Sequence, residues 1–245
     1  MVAAIVVVMA AVFGGAQLLA LVPIGNLERS ITLEPQADRL VVRSGAGDLT
    51  LAPSSDGKVH VRTVARYGLA RPVLTQESTS SGLLLDAQCD GWLGTNCQVD
   101  HTVEVPPSLA VVAGGGCCDV TARGLTGPVT ITRGSGDIAL VDLSGPIDVR
   151  SSSGEISGDR LSGGSVRAGT DSGDVRLDLL RPRSVQVDVS SGEVDVTVPG
   201  GGATYRVDVQ TGSGEQQIDV PVDPAAASMI TIDSDSGDVS LSPAP

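Results

Sequence analysis

The tripeptide Ser-Gly-Asp/Glu returns along this chain at a nearly fixed spacing, and that period constrains the fold more than any other feature. It stands at Ser135-Gly136-Asp137, Ser153-Gly154-Glu155, Ser172-Gly173-Asp174, Ser191-Gly192-Glu193, Ser213-Gly214-Glu215 and Ser236-Gly237-Asp238. The acids are 18, 19, 19, 22 and 23 residues apart. Looser copies precede them at Ala46-Gly47-Asp48 and Cys117-Cys118-Asp119. A period near 20 is the mark of stacked repeats. Ser-Gly also recurs at about half that period, at Ser135, Ser144, Ser153, Ser162, Ser172 and, after a skip at Arg181-Pro182, at Ser191. Each repeat is therefore two short strands and two turns.

The residues between the turns alternate. Val129 and Ile131, Ile147 and Val149, Val175, Leu177 and Leu179, and Val185, Val187 and Val189 each place aliphatics on one strand face. Two or three such residues per strand bury too little to stand alone. Stacked parallel at about 4.8 Å, they join into ladders. The pattern predicts an all-β fold: a parallel β-solenoid of about 18–23 residues per rung over residues 109–242, with 243–245 as a tail. The same reading puts Val207, Val209, Ile218 and Val220 inside and makes the rung ending at Leu241 the last. Its edge then needs the prolines behind it, or a second subunit in a homo-oligomer, to stop further pairing.

Residues 25–108 read as a β-rich region of antiparallel strands. Leu40 to Arg43, Leu49 to Leu51, Val59 and Val61 with Val64, and Leu83 to Leu85 supply apolar runs. Val99, His101, Val103 and Val105 share one face before Pro106-Pro107. Tyr67 to Ser81, with Gly68 and Pro72, reads as an exposed loop. Residues 1–24 carry no charge and are long enough to span a bilayer as one helix. A single-pass anchor with the bulk of the chain extracytoplasmic is the expectation, against a cleaved signal peptide.

Four cysteines fit an oxidising compartment. Cys89 and Cys97 bracket a loop that a disulfide could close. Cys117 and Cys118 are adjacent, so they are either bonded to each other under strain or free.

A glycine at each corner supplies positive φ, and the acid beside it can accept hydrogen bonds from freed turn amides. A column of carboxylates at Asp137, Glu155, Asp174, Glu193, Glu215 and Asp238 also admits a cation stripe. Calcium-binding nonapeptide repeats, however, carry more glycines and acids per rung than this chain does. No cofactor is implied, and the metal reading rests on those six acids alone. The net charge of −13, with only 16 Lys and Arg, excludes nucleic acid as a partner. Aromatics are limited to Phe13, Tyr67, Trp92 and Tyr205, which removes the stacking shelves of a glycan-cleaving β-helix. Trp92, in the Cys89–Cys97 loop, is either a binding anchor or a lid on the sheet. His60 and His101 read as structural, and no nucleophile elbow or phosphate loop is present.

Val103-Glu104-Val105-Pro106, followed by Gly136-Asp137-Ile138-Ala139-Leu140, Gly173-Asp174-Val175-Arg176-Leu177 and Gly237-Asp238-Val239-Ser240-Leu241, resembles a bacterial putative-adhesin family of unknown function. The similarity runs from about Ile31 to Leu241. Gly116-Cys117-Cys118-Asp119 departs from it, with cysteine at the corner glycine. The resemblance implies a β-solenoid, a surface or envelope-stress association and no catalytic residues. The functional expectation is a non-enzymatic adhesin or envelope-associated binding module that meets an envelope protein or surface ligand. A sensory or scaffold ectodomain for a membrane partner is the alternative.

Overall fold

Val185-Gln186-Val187-Asp188-Val189 shows how the chain builds its interior: the valines are buried and the polar residues between them face outward. The computed structural model describes residues 25–35, 38–45, 47–68, 71–79, 82–89 and 97–244. Seven strands form the N-terminal part: β1 (Gly25–Leu33), β2 (Arg39–Ser44), β3 (Leu49–Pro53), β4 (Val59–Tyr67), β5 (Val73–Thr79), β6 (Gly82–Gln88) and β7 (Gln98–Val105). Regular strand pairs follow: β8 (Ala110–Gly115) with β9 (Val120–Arg123), β10 (Val129–Arg133) with β11 (Ile138–Val141), and β12 (Ile147–Ser153) with β13 (Ile156–Leu161). The series continues with β14 (Ser165–Ser172) and β15 (Val175–Leu179), then β16 (Ser184–Ser191) and β17 (Val194–Val198). It closes with β18 (Arg206–Thr211) and β19 (Gln216–Ile218), and β20 (Met229–Ser236) and β21 (Val239–Pro243).

The first strand of each pair enters a 10-stranded sheet and the second an 11-stranded sheet. The rungs stack in parallel register: Val129 lies beside Val111 and Ile147, and Ile138 beside Val120 and Ile156. The two sheets enclose one continuous core of aliphatic side chains from Leu40 to Leu241. Burying each Val, Ile or Leu contributes about 1.5–3 kcal/mol, and neighbouring rungs share that burial.

The coil begins earlier than expected. β2 and β3 pair in parallel with β8 and β9, and β6 and β7 pair in parallel with β2 and β3. Among the described residues, antiparallel pairing is confined to β1–β4, β4–β7 and β5–β6. The parallel stack therefore crosses position 108/109 without a break. The stretch Tyr67 to Ser81, expected as a loop, contains β5, which pairs with β6 from Val73 to Thr79. In β4 the inward series is Val59, Val61, Thr63 and Ala65, so strict alternation leaves Val64 only half-buried.

Both ends of the coil are out of chain order. At one end β2–β3 lies inside β6–β7, although it comes first in the chain. At the other, β20–β21 lies between β16–β17 and β18–β19. The rung that ends at Leu241 is therefore not terminal. Its strands are covered on both sides, and Pro243 stands in register with Val198 rather than as a stop. The outermost rung is β18–β19, which is why Val207 and Val209 are only half-buried and Ile218 is 37% exposed. Tyr205 plugs this end: its ring is buried, and its hydroxyl donates to the Pro199 carbonyl at 2.8 Å.

The expected membrane helix lies in residues 1–24, outside the described residues. Among the described residues, no helix is long and apolar enough to cross a membrane.

Cysteines placed at Gln186 and Thr231, register partners in adjacent strands, should cross-link on oxidation. Cysteines at Gln186 and Asp208, two rungs and about 9.6 Å apart, should not. The reverse result would restore chain order to the stack.

Candidate functional site

The six Ser-Gly-acid corners form one continuous edge of the coil. The corner glycines have φ between 99° and 146°. A Cβ at Gly173 would collide with the Gly154 carbonyl of the rung below, so both the backbone conformation and the spacing require glycine there.

Along the stack the acids run Asp100, Asp48, Asp119, Asp137, Glu155, Asp174, Glu193, Asp238, Glu215, the order following strand pairing rather than sequence. Their backbone amides form a ladder. The N–H of Asp48 donates to Asp100 Oδ1 (3.1 Å), that of Asp119 to Asp48 Oδ1 (3.2 Å) and that of Asp137 to Asp119 Oδ1 (2.9 Å). The N–H of Glu155 donates to Asp137 Oδ1 (2.9 Å), that of Glu193 to Asp174 Oδ1 (2.9 Å) and that of Glu215 to Asp238 Oδ1 (2.8 Å). Every aspartate of the column thus caps the amide of the next rung. Glu155 and Glu193, longer by one methylene, cap none. Glu155 instead accepts from Arg176 Nη1 at 2.6 Å, and Arg176 Nη2 donates to Asp174 at 2.9 Å. The edge therefore joins all six proposed cation-column residues, but the aspartate oxygens facing the next rung are already hydrogen-bonded. Among the described residues, no group of three or more His, Cys, Asp or Glu is placed to hold a metal ion.

Four residues before each acid other than Asp100, a second row lines the inside of the corner. Ser151 Oγ donates to the Ser153 carbonyl (3.0 Å), Thr211 Oγ1 to the Ser213 carbonyl (3.3 Å) and Ser44 Oγ to the Gly47 carbonyl (3.4 Å). Arg133 occupies this row in its own rung and is 2% exposed. Gly115, beside it, has no side chain, and a Cβ there would strike the guanidinium. Arg133 Nη1 passes through that gap to donate to the carbonyls of Ser44 (3.2 Å) and Cys117 (3.4 Å), while Nε and Nη2 have no partner. Burial lowers its pKa, with Asp48 acting in the opposite direction.

His101 is 4% exposed; Nδ1 lies 3.0 Å from Thr63 Oγ1, and Nε2 has no partner. Burial holds its pKa below the ordinary imidazole value, against the attraction of Asp100. His60 lies at the surface, with Nε2 2.9 Å from Asp56 Oδ1. That contact, above the Lys58 amide, lowers the Asp56 pKa.

Cys89 is joined to Cys97, and Cys117 to Cys118. The first pair packs against Ala65, Tyr67, Ala87 and Val99 at one end of the coil. Trp92 lies outside the described residues.

The outer face of the 10-stranded sheet carries a groove of about 410 Å³. Thr132, Arg150, Gly169, Asp188 and Asp233 form a single register row across five rungs. Gly169 leaves the middle of this row bare, and Asp171 and Asp235 add carboxylates at its rim. The sequence reading missed this groove, Asp100 and Arg133. Only Arg133 left a signal: it interrupts a row that is otherwise mostly hydroxyl or small.

These features define a class: an all-β coil of stacked two-strand rungs, with glycine corners and an aspartate-capped edge. Residues 31–242 match the Toastrack DUF4097 family, and the chain belongs to it. Its structure is similar to that of a putative cell adhesion protein from Clostridium sporogenes ATCC 15579, with 13% identity, 90% of this chain and 100% of that chain covered, and a TM-score of 0.38. It is also similar to a putative adhesin from Bacteroides fragilis NCTC 9343, with 10% identity, 90% and 98% coverage and a TM-score of 0.38. A third is a putative lipid binding protein from Parabacteroides distasonis ATCC 8503, with 14% identity, 91% and 98% coverage and a TM-score of 0.38. No curated protein matches the chain.

Asp137→Ala should cost about 1 kcal/mol by freeing the Glu155 amide, while Asp137→Asn, which keeps an acceptor oxygen, should cost less. Denaturant unfolding measures both. Calcium or a chelator should leave the melting midpoint of the unaltered chain unchanged; a rise with calcium would restore the cation stripe.

His101 also gives stability a pH dependence. Its folded pKa is depressed, so its contribution is complete above the unfolded value of about 6.5 and declines as pH falls below it. There the unfolded chain takes up a proton that the buried ring does not. The slope is at most about 1.4 kcal/mol per pH unit. His101→Leu should flatten unfolding free energy measured between pH 7.5 and 5.5; an unaltered slope would contradict the assignment.

Proposed function

We propose that the chain acts by binding rather than by turnover, as a membrane-anchored, extracytoplasmic adhesin or cell-envelope-associated module. The observation that supports this most is the groove across five rungs of the 10-stranded sheet, open to solvent and rimmed by Asp171, Asp188, Asp233 and Asp235. Its floor is a rigid sheet, and its carboxylates are fixed at rung spacing. Such a surface suits a ligand or envelope protein that presents cationic groups along an extended segment. The uncharged segment 1–24 is consistent with tethering.

A scaffold role for a membrane partner is the second reading. It is favoured by the outer edges of β18 and β19, beside exposed Ile218 and Val222, where a partner strand can add to the sheets.

Binding of the purified full chain in detergent to envelope fractions tests the first reading. Retention should be salt-sensitive and should drop in Asp188→Asn/Asp233→Asn, whose row sits on the groove. Retention unaffected by that pair, but lost on substitution of Ile218 and Val222 by Ser, would favour the scaffold. Release of oligosaccharides from envelope material would replace both with an enzyme.

A further inference from the structure

We propose that Cys117–Cys118 is a reducible latch, a redox modification site at which a dithiol opens the corner above the buried Arg133. Cys118 stands where seven other described corners have glycine and takes φ of 81°, a conformation disfavoured for a residue with a Cβ. An eighth glycine would meet that need without cost. The cross-link to its neighbour holds the peptide in this shape.

The two sulfurs also face the preceding rung. The Gly47 N–H donates to Cys118 Sγ at 3.0 Å. Cys117 Sγ lies 3.3 Å from the Gly45 carbonyl oxygen, a contact without a proton. The Cys117 carbonyl is one of only two acceptors that Arg133 has among the described residues. The corner thus shields a buried charge with two unpartnered nitrogens, Nε and Nη2. Gly116, which lies between the end of β8 and the pair, has no Cβ to restrict the backbone there. The Cα atoms of the pair are 3.7 Å apart, against 6.0 Å for Cys89–Cys97 and roughly 4.4–6.8 Å in ordinary disulfides. Both cysteines are half-exposed, so a reductant can reach them.

The chemistry is thiol–disulfide exchange. One thiolate of the dithiol attacks a cysteine sulfur, breaks the S–S bond and forms a mixed disulfide. The other cysteine leaves as a thiolate and takes a proton. The second thiol of the reagent then displaces the mixed disulfide. The products are two protein thiols and one oxidised dithiol, a transfer of two electrons. Once reduced, Cys118 is free to leave positive φ, and the contacts to Gly47 and Arg133 are released.

The full chain, dithiothreitol as the probe, alkylation with mass spectrometry and amide hydrogen exchange test this. The unreduced chain should show no alkylation at Cys117 or Cys118 after unfolding. Both should become alkylated at a dithiothreitol concentration about tenfold or more below that needed for Cys89 and Cys97. Selective reduction should speed exchange at Gly47, Asp119 and Gly134. Cys117→Ser/Cys118→Gly, which restores the Ser-Gly-Asp corner, should exchange at these amides equally with and without reductant. Free thiols in the unreduced chain, coincident reduction of the two pairs, or unchanged exchange on reduction would each overturn the latch. None of the three needs a variant to fold.

Discussion

Each rung must turn the same corner within the roughly 4.8 Å that parallel pairing allows it, and the rest of the structure follows from that spacing. At this distance a corner Cβ meets the carbonyl of the rung below, so glycine recurs. The strand ladder cannot satisfy the amide that follows the glycine, so an aspartate does wherever the adjoining rung supplies one. The hydroxyls of Ser44, Ser151, Thr170 and Thr211, four residues earlier, serve turn carbonyls from the inside. The Ser-Gly-acid motif is thus a set of hydrogen bonds between successive turns, repeated because the turns are repeated.

The same spacing explains which parts of the fold the sequence reveals. The valine ladders and the period are local patterns, and they identify the coil and its interior directly. The order of rungs is not local. Val207-Asp208-Val209 and Ile230-Thr231-Ile232 present equivalent faces, so either could stack on β16. The longer intervals before Glu215 and Asp238 were the only trace of the inversion. The N-terminal rungs are hidden for a related reason. β2–β3 carries one loosened copy of the motif, and in β6–β7 the glycine corner is replaced by the Cys89–Cys97 loop, so Asp100 stands without its Ser-Gly. β5 is polar and follows Pro72, and only its pairing with β6 makes it a strand.

For the candidate site, the acids were legible but their role depended on side-chain length. Asp and Glu look equivalent in the motif, yet only Asp reaches the next amide. The outer groove could not be read from any single repeat. It arises where Arg150, Gly169, Asp188 and Asp233 fall in one row, which requires the register. A coil of this kind separates its tasks: inward positions and corners hold the rungs together, while outward positions are left free of packing and can carry a ligand surface.

Residue-resolved amide hydrogen exchange along the acid edge tests the aspartate ladder most directly. The amides of Asp137, Glu155 and Glu193, each bonded to an aspartate of the adjoining rung, should be protected. Those of Asp174 and Asp238, which adjoin Glu155 and Glu193 and have no such bond, should exchange markedly faster. Equal protection at all five would contradict the ladder and the stacking order on which it rests.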